Sequence, residues 1–270
     1  MISMIRPVPQ EYARKTCFGF SVENLPTEDL PADFFQELPE RFAAAELPYY
    51  LVETPVPVDD LSPVHACSLI ENGLLDNLSL QFPGLVRDCI TGIKRNIEML
   101  ARKGITSGVL NLDLNSLIEP DREKLYTTIL KGLAFTLEEY TFTLLIPFSI
   151  PTASPEITRH VSSFLRNTLL PWVKIRLDIH AHELPPGFSP EKLAEPLFPE
   201  IRSARFVYLA DTGNVLIPEH ILPWISSLAV YGFHGPYFFA PVAANLNGIP
   251  SWISANESLI GNMENKTGDV

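Results

Sequence analysis

Eight short runs of β-forming residues recur along the chain, and longer stretches with helical periodicity separate most of them. Strands that alternate with helices predict parallel strands and β-α-β units. Eight such units predict an α/β fold, the closed (β/α)8 TIM barrel, and 270 residues suit a fold of roughly 250. The alternative is an open doubly wound sheet, but no glycine-rich phosphate loop follows the first run. The predicted strands are Thr16–Val22, Tyr49–Glu53, Val64–Leu69, Gly108–Leu114, Thr141–Ile146, Val173–Ile179, Arg205–Ala210 and Pro236–Val242.

The helices are marked by apolar residues three and four positions apart and by prolines near their starts. Only about ten residues separate the second and third strands, too few for a crossover helix, so a loop is expected to replace the second helix. Residues 1–270 are predicted to form a single barrel domain, with an N-terminal extension at 1–15 and a frayed tail at 264–270. The predicted helices are Asp33–Glu46, Pro83–Lys103 with Gly104 as its stop, Asp121–Glu139 with Asp121 as its cap, Pro155–Leu170, Pro190–Ile201 and Pro218–Tyr231.

Composition narrows the class of partner. The formal net charge of −12, with no cluster of Lys and Arg, argues against nucleic acid. The three cysteines include no CxxC pair, so neither a disulfide framework nor a structural zinc site is predicted. No stretch reaches the roughly 18 apolar residues of a membrane span, so a cytoplasmic protein without membrane contact is expected. Exposed aromatic residues such as Phe233, Tyr237 and Trp252 would permit a homo-oligomer.

The segment Lys174–Glu183 alternates apolar and polar residues with period two, as a strand does when its faces see different environments. One face is aliphatic, and the other carries Arg176, Asp178, His180 and His182. Because unpaired buried charge is costly, the polar face predicts a polar interior, a cleft or a metal. For Asp178 two interpretations stay open, a ligand in a working site and an ion pair with Arg176.

In a barrel, ligands bind where the strands end at their carboxyl termini. Carboxylates and imidazoles at such a mouth can bind a divalent ion, which polarises a carbonyl or hydroxyl while a nearby Asp or Glu moves a proton. That chemistry would suit aldose–ketose isomerisation or epimerisation. The polar residues predicted there are Glu53, His65, Asn111, Asp113, Asp178, His180, His182, Glu183, Tyr208, Asp211, Asn245 and Asn247.

Several motifs resemble those of the xylose isomerase-like, or sugar-phosphate isomerase/epimerase-like, TIM barrels. His65-Ala66-Cys67 is similar to the family's His-Ala-Pro motif in the third strand, and Leu177-Asp178-Ile179-His180 to its Leu-Asp-x-x-His motif in the sixth. Val207 to Asp211 resembles its His-x-x-Asp motif in the seventh strand, and Tyr231 to Ala240 its Gly-Tyr-x-Gly-x-x-x-x-Glu ending. The resemblance runs from about Cys17 to Ala243.

The resemblance implies a sugar or sugar-phosphate isomerase or epimerase with a divalent ion, Mn, Zn or Co. Most of the family's metal ligands do not carry over. The glutamates expected on the fifth and eighth strands fall on Pro147 and Ala240, and the seventh-strand histidine falls on Tyr208. The histidine expected three residues after Asp178 falls on Ala181, with His180 and His182 on either side, whereas His65, Asp178 and Asp211 match.

Two hypotheses follow. The first is a metal-dependent isomerase or epimerase. In it Asp178, His180 and His182 hold the ion, Glu53 and Asp211 move the proton, and a carbohydrate-like ligand is bound by His65, Asn111, Tyr208 and Arg176. The second is a binding or structural barrel that has lost this chemistry and needs no metal. Each residue also has a structural interpretation; Asp211, for example, precedes Thr212-Gly213-Asn214, a turn sequence.

Overall fold

Eight parallel strands form a closed barrel in sequence order, and the last strand pairs with the first, with Phe18 opposite Tyr237. The prediction of a (β/α)8 TIM barrel is therefore confirmed. The computed structural model describes residues 18–21, 45–47, 64–71, 73–150, 155–180, 195–209, 218–233 and 235–242. The strands are β1 (Phe18–Ser21), β2 (Ala45–Leu47), β3 (Val64–Ser68), β4 (Ser107–Val109), β5 (Thr143–Ile150), β6 (Val173–His180), β7 (Ile201–Leu209) and β8 (Tyr237–Val242).

The α-helices of the described residues each begin with a proline, whose missing N–H would have no partner in the first turn. They are α1 (Pro83–Arg102), α2 (Pro120–Glu139), α3 (Pro155–Thr168) and α4 (Pro218–Val230). Gly104 lies two residues beyond α1 with φ of 83°, a conformation that favours glycine. Its N–H donates to the Ala101 carbonyl, and the Ile105 N–H donates to Leu100, so the predicted stop at Gly104 is confirmed.

The second strand was predicted too late in the chain. The prediction was Tyr49–Glu53, but β2 is Ala45–Leu47, and its first two residues fall in the predicted helix Asp33–Glu46. Ala, Glu and Leu favour helices in isolation, but here pairing with β1 and β3 decides the local structure. The rest of the predicted helix, and the predicted strand itself, lie outside the described residues.

Several other boundaries differ from the prediction, among them the end of β5, at Ile150 rather than Ile146. The fourth strand was predicted to run to Leu114 but ends at Val109. Leu114 instead begins a 3-10 helix, Leu114–Ile118, which Asp113 caps by accepting a hydrogen bond from the Asn115 N–H at 3.0 Å. The predicted cap Asp121 lies instead in the first turn of α2, where its negative charge suits the helix dipole. The described part of the predicted helix Pro190–Ile201 is a 3-10 helix, Glu195–Glu200, and its last predicted residue, Ile201, already belongs to β7.

Apolar residues pack on both faces of the strands. The aliphatic face of β6 (Ile175, Leu177 and Ile179) is fully buried in the large core shared with the helices, as predicted. A separate, small cluster of Ala66, Val109 and Leu145 lies on the inner face of the barrel. This inner cluster includes no residue of β6 or β7, and the inner face of those two strands carries polar side chains.

The packing around β4 leaves no room for a side chain at Gly108. A Cβ added to Gly108 would lie 2.8 Å from the Leu69 side chain and 2.9 Å from Phe142. By contrast, a Cβ added to Gly92, on an exposed position of α1, would meet nothing within 4 Å. Gly108 is thus required by packing, whereas Gly92 is not.

Two of the aromatic residues expected to support an oligomer, Phe233 and Tyr237, are buried. Phe233 and Tyr237 pack edge to face with ring centroids 5.3 Å apart, and the Tyr237 hydroxyl donates to the Phe233 carbonyl at 3.3 Å. They serve the core, so that part of the expectation was wrong; Trp252, like the predicted extension and tail, lies outside the described residues. No helix in the described part of the chain has the length and apolar character needed to cross a membrane.

Candidate functional site

A buried ion cluster occupies the inner face of β6 and β7. Arg176 and Asp178 lie two residues apart on β6, and Arg205 lies opposite Asp178 on β7. Arg176 donates from Nε and Nη2 to the two oxygens of Asp178 at 3.0 and 3.2 Å. Arg205 donates to the same oxygens at 3.1 and 2.5 Å. The three residues are 1%, 4% and 5% exposed, so the cluster lies inside the barrel rather than at its surface.

The electrostatics of the cluster keep Asp178 ionised. Burial alone would raise the pKa of Asp178, but the charges of Arg176 and Arg205 and the hydrogen bonds that they donate outweigh it and hold the pKa below its usual range. One carboxylate between two guanidinium groups leaves a net charge of one positive unit on these three residues. Arg205 also donates from Nη1 to the Ser21 hydroxyl at 3.4 Å, which ties the cluster to β1.

His65 lies on β3 as a neutral imidazole. Its ring lies 5.0 Å from the Phe238 ring, and its Nε2 is buried without a hydrogen-bond partner in the described part of the chain. Burial, followed by the positive charges of Arg202 and Arg176, lowers the pKa of His65 to about 4. A neutral imidazole can accept or donate one hydrogen bond at Nε2, depending on its tautomer.

A cavity of about 290 Å³ opens at the carboxyl ends of β4 and β5. Asn115 contributes a buried Oδ1 with no hydrogen-bond partner among the described residues. Amide and hydroxyl groups both donate and accept hydrogen bonds, so this lining suits a ligand with hydroxyl groups. The polar residues that line the cavity are Asp76, Asn111, Asp113, Asn115 and Ser149.

No protein-family model and no curated protein match the sequence. Solved structures do match in fold. The 3-keto-D-glucoside 4-epimerase of E. coli has a TM-score of 0.63 at 13% identity, over 92% of this chain and 100% of that one. A xylose isomerase domain protein from Planctomyces limnophilus has a TM-score of 0.63 at 12% identity, over 95% and 98%. A D-psicose 3-epimerase, crystallised in the presence of D-fructose, has a TM-score of 0.63 at 12% identity, over 88% and 89%.

The chain has the fold of the xylose isomerase-like barrels. At 12–13% identity, the similarity to these structures establishes a shared fold but not a shared activity. The resemblance predicted from the motifs is thus confirmed for the fold.

The metal site of a xylose isomerase-like barrel does not fit the described residues. An ion at Asp178 would have to displace guanidinium donors from both carboxylate oxygens. The positions that the resemblance assigns to glutamates are Pro147, opposite Arg176, and Ala240, opposite Val207, and neither side chain has a donor atom. Among the residues that the structure describes, no group of three or more His, Cys, Asp or Glu could hold a metal.

The other predicted residues divide into three groups. Asn111 lines the cavity at the mouth, and His180 ends β6 half-buried. Tyr208 lies on β7 opposite Pro241. Glu53, His182 and Asp211 lie outside the described residues, as do Glu183, Asn245 and Asn247 of the predicted mouth. Roles in binding, metal ligation or proton transfer stay predictions for Asn111, His180, Tyr208, Glu53, His182 and Asp211.

Arg176 is placed differently from the prediction. It was expected to bind substrate, but the barrel buries it in the ion cluster and it is not among the residues that line the mouth cavity. The Arg176–Asp178 ion pair, the structural interpretation left open by the sequence, is present.

Arg205 was missed as a partner of Asp178. The alternation of Ser203, Arg205 and Val207 could have suggested that Arg205 faces the barrel interior. Only the register of β7 against β6 places its guanidinium on the Asp178 carboxylate.

Proposed function

We propose that this chain is a xylose isomerase-like barrel in which a buried ion cluster stands in place of a metal site, and that it acts by binding a small carbohydrate-like ligand at its mouth. The observation that carries the proposal is the occupation of both Asp178 oxygens by Arg176 and Arg205. A carboxylate held in this way is a structural anion, because its lone pairs already accept charge-assisted hydrogen bonds.

The chemistry of the positions around Asp178 supports the same conclusion. Metal-assisted isomerisation needs ligands that hold the ion and a carboxylate that moves the proton. Pro147 and Ala240 can do neither, and the guanidinium groups of Arg176 and Arg205 repel a divalent cation. The cluster joins β6, β7 and, through Ser21, β1, an arrangement that suits a structural role for these charges.

The ligand class follows from the lining of the mouth cavity. Asn111, Asn115 and Ser149 offer neutral groups that donate and accept, as sugar hydroxyls require. The volume of about 290 Å³ is small among ligand cavities, which span roughly 300–1,000 Å³, so a single sugar ring is the appropriate size. Solved sugar epimerases of the same fold support this class of ligand.

The second candidate is a metal-dependent sugar isomerase or epimerase built on Glu53, His182 and Asp211, with a Mn, Zn or Co ion. It is favoured by the fold of the sugar epimerases. It requires a ligand set that excludes Asp178, because that carboxylate is held by two arginines.

Metal content and sugar binding separate the two candidates. We expect the purified protein to contain no stoichiometric metal, and millimolar Mn²⁺, Zn²⁺ or Co²⁺ to leave its melting temperature unchanged. Isothermal titration with D-fructose, D-psicose and D-glucose should detect binding that Asn111→Ala weakens and that Thr128→Ala, an exposed change on α2, leaves intact. Stoichiometric metal together with interconversion of any of these sugars would overturn the proposal in favour of the second candidate.

A further inference from the structure

A second cavity, of about 280 Å³, lies at the opposite end of the barrel from the mouth. It forms where the 3-10 helix Glu195–Glu200 enters β7 and where α4 turns towards β8. Both places are at the amino ends of strands, whereas the cavity at the mouth adjoins their carboxyl ends. The two cavities are therefore separate sites, and a ligand of the second cavity would bind independently of the proposed function.

An aromatic pair forms one wall of this cavity. The rings of Phe198 and Tyr231 are stacked, with centroids 3.8 Å apart and planes within 14°. Phe198 is only 7% exposed and covers one face of the Tyr231 ring, while Tyr231 itself is 41% exposed. Stacking on a buried ring fixes the exposed one, so Tyr231 offers a flat, preorganised surface to a ligand.

A cation lines the same cavity. Arg202 is exposed, and its guanidinium makes no ion pair or hydrogen bond with any residue that the structure describes. Glu200, two residues before Arg202, already has a partner, because Lys174 donates to its carboxylate at 2.7 Å. The nearby anion is thus taken by the lysine, and Arg202 is left with a planar fork of donors suited to a carboxylate.

The end of α4 completes the wall and opposes an anion only weakly. Gly232, with φ of 83°, ends the helix; its N–H donates to Ala229 at 2.9 Å, and the Phe233 N–H donates to Leu228 at 3.0 Å. These bonds satisfy carbonyls that give a helix end about half a negative charge, which is less than the full positive charge of Arg202. A Cβ at Gly232 would meet nothing within 4 Å, so this side is open.

We propose that this cavity binds a single-ring aromatic carboxylate, with the ring against Tyr231 and the carboxylate on Arg202. Aromatic rings stack favourably in an offset arrangement, and an arginine–carboxylate pair adds two parallel charge-assisted hydrogen bonds. The volume admits one ring and its acidic group.

Ligand-observed NMR with the full chain tests the proposal, with benzoate as the probe. Benzoate should bind, and benzyl alcohol, which has the ring without the charge, should bind at least tenfold more weakly. Inorganic phosphate, the charge without the ring, should also be at least tenfold weaker. Phosphate binding as tight as that of benzoate would overturn the proposal, because the ring would then contribute nothing.

Substitutions locate the site. Arg202→Gln and Tyr231→Ala should each weaken benzoate binding at least tenfold, while Tyr231→Phe keeps it. Arg166→Gln, an exposed change in the last turn of α3, is the control and should leave binding unchanged. Arg202 is exposed, so Arg202→Gln should keep the melting temperature of the parent chain, and Tyr231→Phe should keep it as well because the ring stacked on Phe198 remains. Unchanged affinity in Arg202→Gln and Tyr231→Ala would place benzoate elsewhere and overturn the proposal.

Discussion

Asp178 and Arg205 face each other across β6 and β7 and share two hydrogen bonds, from Arg205 Nε at 3.1 Å and from Arg205 Nη2 at 2.5 Å. This bidentate geometry makes a strong pair, because both hydrogen bonds are charge-assisted and run in parallel. Water is excluded from it, because both side chains are about 5% exposed. Arg176 repeats the geometry from the same strand, so one carboxylate is shared by two buried cations.

The first prediction concerns Asp178→Asn. It leaves two guanidinium groups buried without a counter-charge, and removing one partner of a buried ion pair typically costs about 3–5 kcal/mol. We expect a loss of this size in the free energy of unfolding, measured by urea denaturation. The control is Glu200→Gln, which breaks the half-buried Lys174–Glu200 pair and should cost about 1 kcal/mol or less.

A companion variant separates packing from charge. The triple change Arg176→Met, Asp178→Leu and Arg205→Met removes all three charges, and apolar replacements of buried ion groups are often neutral or stabilising by about 1–4 kcal/mol. We expect it to be more stable than Asp178→Asn. A triple variant less stable than the single one would contradict the view that unpaired charge causes the loss.

The second prediction is a loss of stability in mild acid that depends on His65. Its pKa is about 4 in the folded chain, against an ordinary value of 6.5, so the unfolded chain binds more protons between these pH values. Stability should therefore fall as pH drops from 6.5 to 4, by about 3 kcal/mol in total. Urea midpoints across this range should show it, and His65→Gln should flatten the decline. An equally steep decline in the variant would assign the effect to other groups.

The ionisation of Asp178 affects stability at lower pH than that of His65 does. Its folded pKa lies below the usual 3.8, so the stability that its ionised form contributes is complete above that value and is lost as pH falls through the folded pKa. The two residues can therefore be distinguished by the pH at which each variant departs from the parent chain.

The third prediction links Arg202 to His65. After burial, the charge of Arg202 is the next cause of the low pKa of His65. Arg202→Gln should raise that pKa above 4 while leaving it below 6.5, because burial persists. An NMR titration of the His65 ring protons measures the change. With Arg87→Gln, an exposed position on α1, the same titration should be unaltered.

The fourth prediction compares two glycines. Gly108→Ala places a methyl group within 2.9 Å of Leu69 and Phe142, and overpacking of this kind typically costs about 1–3 kcal/mol. Gly92→Ala meets open space in a helix and should stabilise by about 0.5–1 kcal/mol. Thermal unfolding of both variants checks the opposite signs. If both variants changed the melting temperature equally, Leu69 and Phe142 would have to move aside for the added methyl group at Gly108.

What could be predicted from sequence differs between elements for physical reasons. The alternation along β6 predicted both of its faces and its end to within one residue, because periodicity is a local property. β2 was missed because Ala45–Leu47 has helical propensity and becomes a strand only through pairing with β1 and β3. The fold as a whole was predictable because errors at one short strand leave the count of eight intact.

The candidate sites were less predictable than the fold. Arg176 and Asp178 share a strand face at a spacing of two, so their ion pair was open to inference. Arg205 joins them through inter-strand register, and Phe198 stacks on Tyr231 through the packing of distant segments. Such contacts between distant segments leave no spacing signal in a single sequence.

The hydrogen bond from Arg205 to Ser21 joins residues 184 apart in the chain, so it forms only when the barrel closes. Before closure, the inner surface of β6 and β7 meets water, and that surface carries ionised groups. A partly folded sheet of this protein therefore exposes a hydrated strip along its inner surface where many barrels would expose aliphatic side chains. We expect such refolding intermediates to remain dispersed at concentrations at which an apolar half-barrel would aggregate.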